Sequence, residues 1–191
     1  MLLINRIIRA ARLDGTFFKE AKADATLTNE ALLVALAAAV AMAGGNFLYW
    51  LIPWPGHPIF SFGAAIAALF IYAIFYAIGF GIFVFLVPLI GEKLFAGKPM
   101  TWQEALRPLG YAQAPVIVSI LSLVVVLGGI LSWAGLVYAL VISTFAVKET
   151  MELDWLKAGA TCIIAWIPLS VLYGVAGSII WNIWWRSVIF F

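Results

Sequence analysis

Residues 112–147 read AQAPVIVSILSLVVVLGGILSWAGLVYALVISTFAV, a run of 36 residues without a charged side chain. A membrane-spanning helix needs about 20 residues, with a range of about 17–25. The run is therefore too long for one straight crossing, and a division near Gly128 and Gly129 leaves two segments close to the lower limit. Three arrangements fit: two crossings, one long bent helix, or a re-entrant pair that turns back inside the membrane.

The distribution of Lys and Arg narrows this choice. Ten of the eleven basic residues fall in three segments, 6–22, 93–107 and 148–157, and only Arg186 follows the last apolar stretch. Positive charge is retained on the cytoplasmic side of a membrane. An even number of passes within 112–147 keeps all three segments on that side. We therefore predict two crossings, although a re-entrant pair satisfies the charge rule equally well.

Further apolar stretches complete the predicted topology. The whole set of predicted spans is 31–52, 60–87, 112–128, 130–147 and 155–181. These five spans predict an all-α, polytopic transmembrane bundle that forms a single membrane domain over residues 1–191, with residues 1–28 in the cytoplasm. Thr28 and Asp154 are expected to cap helices, and Pro88 is expected to end the second span.

Composition supports the membrane class and excludes others. Apolar residues make up 65% of the chain and charged residues 10%, and the mean hydropathy is +1.10. A soluble domain usually carries about 25% charged residues, so the bilayer is the natural solvent for this chain. The net charge is only +2, which argues against nucleic-acid binding because that function needs a concentrated basic face. The single cysteine, Cys162, excludes a disulfide within the chain.

Two segments are predicted to lie at the membrane surface. At 100° per residue, one face of the N-terminal segment carries Leu3, Ile4, Ile7, Ile8 and Ala11, and the opposite face carries Asn5, Arg6, Arg9 and Arg12. This pattern predicts an amphipathic helix whose arginines contact anionic lipid, although packing against the bundle or binding a partner would also fit. Thr101 and Glu104 have capping-box spacing, so a second helix should begin there and break near Pro108 and Gly110.

The order of these pieces resembles the Yip-domain family of integral membrane proteins, which interact with Ypt/Rab GTPases. The resemblance rests on three groups of residues: Arg12-Leu13-Asp14 with Phe17, Phe18 and Glu20; Asp24-Ala25-Thr26; and the run from Thr101 to Pro115. Within that run, Gly110, Tyr111 and Pro115 are similar to the glycine-tyrosine and proline element of the family. The long hydrophilic N-terminal arm of the eukaryotic relatives is missing, so Rab binding is not carried over. The resemblance implies a short prokaryotic member of the family. Such a member has five helices in the inner (cytoplasmic) membrane and a cytoplasmic N-terminus.

Small residues recur at four-residue spacing on three predicted spans. This spacing lets helix backbones approach closely. The three sets are Ala37, Ala41 and Gly45; Ala73, Ala77 and Gly81; and Ser170, Gly174 and Ser178. We predict that they pack helices together within the bundle, with contact to another chain as the alternative.

No catalytic, metal or cofactor site is predicted. His57 is the only histidine and lies in a proline-rich turn at 53–58, without metal-ligating neighbours in sequence. No nucleophile motif is present, and the span centres carry no ionisable group of the kind that coupled transporters use. Aromatic residues at Tyr49, Trp50 and Trp54, and at Trp181, Trp184 and Trp185, are interpreted as interfacial belts.

The leading functional interpretation is a non-enzymatic protein with a scaffolding or trafficking-like role. Its expected partners are the bilayer and either other membrane proteins or further copies of the chain. Two alternatives stay open. A carrier of small solutes or lipids is suggested by Asn46, Gln113 and the span prolines, and an accessory subunit of a larger complex is suggested by the apolar, aromatic end of the chain.

The predicted topology can be checked by labelling. With Cys162 replaced by alanine, single cysteines at Asn5 and Arg186 should react with an impermeant maleimide from opposite sides of intact vesicles, because an odd number of crossings separates the two ends. Reaction of both from one side would contradict the odd count.

Overall fold

The computed structural model describes residues 2–51, 62–123 and 125–189, and every regular element in these ranges is helical. The predicted all-α class is therefore confirmed. In chain order the elements are α1 (Leu2–Ala11), α2 (Gly15–Ala23), a short 3₁₀ helix (Ala25–Leu27), α3 (Thr28–Leu51), α4 (Phe62–Phe95), α5 (Trp102–Ala112), a long 3₁₀ helix (Ala114–Leu123), α6 (Val125–Met151) and α7 (Trp155–Ile189). The proline-rich turn with His57 and Trp54 lies outside the described residues.

Four helices in the described ranges are long and apolar enough to cross a membrane. The qualifying stretches are Ala25–Leu48, Ala65–Phe95, Ile130–Met151 and Trp155–Ile183. They contain most of the predicted spans 31–52, 60–87, 130–147 and 155–181. The helix α4 continues through Pro88 to Phe95, so the prediction that Pro88 ends the second span is wrong. The helix α7 contains Pro168 and runs past its predicted end at residue 181 to Ile189. A proline removes one hydrogen bond of the helix but does not stop it when neighbouring helices support the backbone.

The third predicted span, 112–128, is not a membrane-length α-helix in the structure. Most of it is the long 3₁₀ helix, whose entry is set by hydrogen bonds between residues three apart, from the Gln113 N–H to the Gly110 carbonyl and from the Val116 N–H to the Gln113 carbonyl. Ten residues at about 2.0 Å each reach about 20 Å, which is short of the hydrocarbon thickness of about 30 Å. Gly128 and Gly129, predicted to divide two spans, lie inside α6.

The long 3₁₀ helix runs beside α3 and returns as α6. Gly110, just before it, packs on Ala31, and Ile120, near its far end, reaches Gly44. At 1.5 Å per residue, the 13 positions between Ala31 and Gly44 correspond to about 20 Å along α3. A Cβ on Gly135 of α6 would lie 2.7 Å from the Pro115 carbonyl oxygen, so the backbones of α6 and the 3₁₀ helix touch. The segment 112–147 therefore goes out and comes back along one side of α3.

The helices α4 and α7 form an antiparallel pair. A Cβ on Gly79 would lie 3.2 Å from the Leu169 Cα, and a Cβ on Gly177 would lie 3.3 Å from the Tyr72 hydroxyl. These glycines leave room for a larger side chain or backbone of the opposite helix, so the two helices pack closely over most of their length.

Three chain reversals lie at one end of the bundle, where α1, α4 and α6 end. Each uses a residue other than glycine with left-handed backbone geometry: Leu13 (φ 58°), Ala96 (φ 54°) and Glu152 (φ 56°). Two reversals are tied together, because the Lys98 N–H donates to the Met151 carbonyl at 2.8 Å. Such geometry costs about 1–2 kcal/mol per residue and persists only when surrounding contacts hold it.

Local capping follows sequence rules at the starts of α2, α5 and α7. Thr101 and Glu104 form both hydrogen bonds of a capping box, and the Asp154 carboxylate accepts from the Lys157 N–H at 2.9 Å, as predicted. The prediction for Thr28 is wrong, since α3 begins with Thr28 and its hydroxyl donates to the Ala25 carbonyl. The expected break near Pro108 and Gly110 is also wrong, because α5 continues to Ala112 with both residues buried against the bundle.

The backbone contact at Gly135 makes a stability prediction. Gly135→Ala should lower the free energy of unfolding in detergent by about 1–3 kcal/mol, because the new methyl group overlaps the Pro115 carbonyl. Gly174→Ala is the matched control in α7, where nothing lies within 4 Å of an added Cβ, and it should be neutral or stabilising by up to about 1 kcal/mol. Equal effects of both substitutions would contradict the contact.

Candidate functional site at the charged end

The three basic segments of the sequence meet at one end of the bundle, which we call the charged end (α1, α2, α5 and the loops 96–101 and 152–154). Lys19 pairs with Glu149 at 3.1 Å, and Lys98 pairs with Glu152 at 2.9 Å. The Lys22 ammonium donates to the Thr150 carbonyl at 2.8 Å. These contacts join residues that are far apart in sequence, so the segments form one surface.

Arg107 provides a further link from inside this surface. Its side chain is 9% exposed, and its Nε donates to the Thr28 hydroxyl at 3.0 Å. Its Nη1 donates to the Lys22 carbonyl, so α5 is tied to α2 and to the start of α3. A buried guanidinium needs such partners, because an unpaired charge in this position would be costly.

The residues that carry the family resemblance lie where α5 crosses α3. A Cβ on Gly110 would lie 2.6 Å from the Ala31 carbonyl oxygen, so only glycine permits this approach. Tyr111 follows and is completely buried. Pro115 is half-buried and faces Gly135 of α6. The three predicted motif residues therefore hold α5 and the long 3₁₀ helix against two spans, and within the described structure their contacts are packing contacts.

A carboxylate at the base of α3 connects three elements. Glu30 accepts two hydrogen bonds from Nη1 of Arg6, at 2.7 and 2.6 Å, and one from the Tyr111 hydroxyl at 2.8 Å. Burial first, and then the neighbouring Glu30 carboxylate, raise the pKa of Tyr111, so its phenol stays protonated and donates. In the sequence, Glu30 comes directly before the predicted span 31–52. A lone acid at the start of an apolar run was the available signal for a pairing site.

Aromatic rings fill the space beside this carboxylate. The Phe17 ring meets the Tyr111 ring edge-on, with centroids 5.1 Å apart, and the Arg9 guanidinium lies 5.2 Å from the Phe17 centroid. Arg9 also pairs with Asp14 at 2.6 Å and with Glu20 at 2.9 Å. Hydrogen bonds from Thr16, and then from Arg9, hold the pKa of Asp14 well below its usual range, so this cap of α2 is ionised at neutral pH.

The three arginines predicted to contact lipid differ in their surroundings. Arg6 and Arg9 are engaged in the ion pairs described above, whereas Arg12 is exposed and has no carboxylate within 4.0 Å among the described residues. Ala10 of α1 is buried, and Leu2, Ile4 and Ile8 are exposed, at 72, 62 and 42%. One side of α1 therefore packs on the bundle, and an apolar side is left uncovered.

The small-residue triplets occupy different surroundings from those predicted. Ala41 and Gly45 are buried and Ala73 is half-buried, while the other six, Ala37, Ala77, Gly81, Ser170, Gly174 and Ser178, are exposed. Nothing lies within 4 Å of a Cβ added to Gly81 or Gly174. Packing within the bundle is thus incorrect for the exposed members, because spacing does not show which face of a helix is covered. The close contacts use Gly79, Gly110 and Gly135 instead.

Two pairs of polar side chains in the apolar interior bond to each other. The Tyr76 hydroxyl donates to Oε1 of Gln113 at 2.8 Å, and the Asn46 amide donates to the Tyr173 hydroxyl at 3.0 Å. The cavity that Gln113 lines has a volume of about 10 Å³, which is room for about one water molecule. Among the described residues no group of three His, Cys, Asp or Glu side chains could hold a metal ion, and Cys162 is buried.

Comparisons with known proteins place this arrangement in a family. A family model described as Yip1 domain matches residues 15–184, which is most of the chain and runs from the start of α2 into α7, without α1. No curated protein and no solved structure matches the chain.

The Tyr111–Glu30 hydrogen bond can be measured by a double-mutant cycle. Tyr111→Phe should destabilise the folded protein in detergent by about 1–2 kcal/mol, because it leaves part of the Glu30 carboxylate unsatisfied. In a Glu30→Gln background, Tyr111→Phe should lower the free energy of unfolding by a smaller amount. Tyr138→Phe is the control, since Tyr138 is exposed and donates to the Ala11 carbonyl. A cycle with no coupling energy would contradict the bond.

Proposed function

The chain belongs to the Yip1 domain family, and we propose that it is a non-enzymatic integral membrane protein that organises membranes through protein contacts at its charged end. The observation that carries this proposal is the joining of three distant segments into one polar surface. That surface is held in place by the contacts Lys19–Glu149, Lys98–Glu152 and Arg107–Thr28. A surface fixed in this way presents the same groups to every partner, which lowers the ordering cost of binding.

Exposed side chains on this surface supply the means of contact. Arg12 and Gln103 are exposed, and Trp102, the sequence neighbour of Gln103, is 52% exposed. Exposed aromatic side chains and arginines are favoured at protein interfaces. The partner of this proposal is another membrane protein or a second copy of the chain.

The interior supports a scaffold better than a carrier. The alternative of a small-solute or lipid carrier depended on a water-filled path lined by Asn46 and Gln113. Both amides bond to protein groups, and the cavity beside Gln113 is about 10 Å³. A solute path requires a polar opening much larger than one water molecule. The accessory-subunit alternative rests on the aromatic end of α7, where Trp181 and Trp185 are 49 and 50% exposed.

The proposal includes a topology. Five crossings follow if the long 3₁₀ helix counts as the third, because it lies between α5 at the charged end and the start of α6 at the other. The charged end would then face the cytoplasm of a bacterial cell, and α1 would lie in the inner leaflet with Leu2, Ile4 and Ile8 among the lipid chains. The positive-inside rule and the exposed side of α1 support this orientation.

Site-specific photo-cross-linking tests the proposed role. A benzophenone amino acid at Gln103, on the charged end, should give a discrete cross-link to another protein or to a second copy of the chain in native membranes. The matched control is Val40, which is 62% exposed on α3 within an apolar span and should give mainly lipid adducts. Partner identity is then confirmed by mass spectrometry and by the reciprocal cross-link. Absence of protein adducts at Gln103 would overturn the proposal, and substrate-dependent flux through the purified monomer would favour the carrier alternative instead.

A further inference from the structure

We propose that the cleft between α1, α2 and the short 3₁₀ helix binds the headgroup of a zwitterionic phospholipid with a primary ammonium, namely phosphoethanolamine. This inference rests on the proposed membrane location of the charged end and names the lipid that α1 meets there. The cleft has a volume of about 510 Å³. Its lining combines two arginines, two carboxylates, one amide and three apolar side chains: Arg6, Arg9, Glu20, Asp24, Asn5, Leu2, Phe17 and Leu27.

Arg6 offers the phosphate-binding group. Both of its hydrogen bonds to Glu30 come from Nη1, and its Nε and Nη2 have no protein acceptor among the described residues. A guanidinium edge with these two nitrogens matches two oxygens of a phosphate. Arg9 is different, because its Nε, Nη1 and Nη2 already donate to Asp14, Glu20 and Thr16. Arg6 is therefore the arginine with capacity for a ligand, and Asn5 beside it adds an amide donor.

Asp24 offers the acceptor for an ammonium. Its Oδ1 accepts from the Thr26 N–H at 2.9 Å and from the Thr26 hydroxyl at 2.7 Å. Its Oδ2 has no donor among the described residues, and no Lys or Arg of those residues lies within 4.0 Å of it. The Thr26 hydrogen bonds also lower the pKa of Asp24, so the carboxylate is charged at neutral pH. An ammonium group with three N–H donors fits such an oxygen.

The charge balance of the cleft favours a zwitterion over an anion. Arg6 and Arg9 are opposed in the lining by Glu20 and Asp24, and over residues 1–30 five basic residues face four acidic ones. An anionic headgroup without an ammonium would meet as many carboxylates as guanidinium groups. Phosphoethanolamine places its phosphate toward Arg6 and its ammonium toward Asp24, so each charge has an opposite partner. This outcome differs from the simple expectation that a basic N-terminal helix selects anionic lipid.

The apolar side chains of the cleft favour a membrane lipid as the ligand over a soluble phosphate compound. Leu2 lines the cleft and is 72% exposed, and Ile4 and Ile8, on a different side of α1, are also exposed. In a bilayer, such a helix lies at the boundary between headgroups and acyl chains. The cleft then sits at headgroup depth. Leu2 is available to the glycerol and the first methylenes of the lipid, and the buried Phe17 and Leu27 form the apolar wall of the cleft.

Binding of short-chain lipids to the full chain in detergent, followed by native mass spectrometry, tests the proposal. The probes are dihexanoyl phosphatidylethanolamine, the corresponding phosphatidylcholine and phosphatidylglycerol, and free phosphoethanolamine. We expect the phosphatidylethanolamine to bind about fivefold more tightly than the other two lipids, and free phosphoethanolamine to bind more weakly than the lipid. Any of three results would overturn the proposal: equal binding of the three lipids, tightest binding of phosphatidylglycerol, or equal binding of free phosphoethanolamine and the phosphatidylethanolamine.

Two substitutions locate the site. Asp24→Asn keeps a capping oxygen for the 3₁₀ helix but removes the charge, and it should abolish the preference for phosphatidylethanolamine. Asp154→Asn, the same change at the cap of α7, is the matched control and should leave the preference intact. Arg6→Lys keeps a cation for Glu30 and should weaken binding of all three lipids by about fivefold, whereas Arg12→Lys should not. Unchanged preference in Asp24→Asn would contradict this site.

The proposed function and this inference fail in different ways. Loss of lipid selectivity with a persistent cross-link at Gln103 would remove the headgroup site and leave the scaffold role. A selective lipid site without protein adducts would leave the headgroup site and remove the scaffold role.

Discussion

The structure depends on the satisfaction of one carboxylate at the edge of an apolar helix. Glu30 lies within the stretch of α3 that is apolar enough to span a membrane, where an unpaired charge is expensive. Its partners come from two other helices: Arg6 from α1 and Tyr111 from α5. One acid thus determines where the N-terminal helix lies and how α5 crosses α3. The Phe17 ring then packs between Tyr111 and Arg9, which extends the arrangement to α2.

Much of this architecture could be predicted because it follows from local or one-dimensional rules. The apolar lengths located α3, α4, α6 and α7, since the bilayer sets a minimum helix length. The grouping of Lys and Arg predicted that three segments would lie at one end, and the structure places them there in contact. The capping box at Thr101 and the cap at Asp154 were readable because each involves residues three apart.

The remaining features depend on three-dimensional neighbours and could not be read from spacing. Four-residue intervals showed that helices could approach closely, but Gly174 faces outward while Gly135 meets the Pro115 carbonyl. The 3₁₀ geometry of Ala114–Leu123 is invisible to hydropathy, because an apolar run looks the same in either helix type. Arg6 and Arg9 fitted a basic lipid-facing stripe, yet their carboxylate partners come from other helices or later turns.

The left-handed reversals at Ala96 and Glu152 have a mechanical consequence. The connections α4–α5 and α6–α7 are bridged by the bond from the Lys98 N–H to the Met151 carbonyl, and by the Lys98–Glu152 ion pair. Neither connection can relax its backbone without breaking its tie to the other, although more than fifty residues separate them. The two connections should therefore unfold locally together, and a tag inserted in one of them would destabilise both.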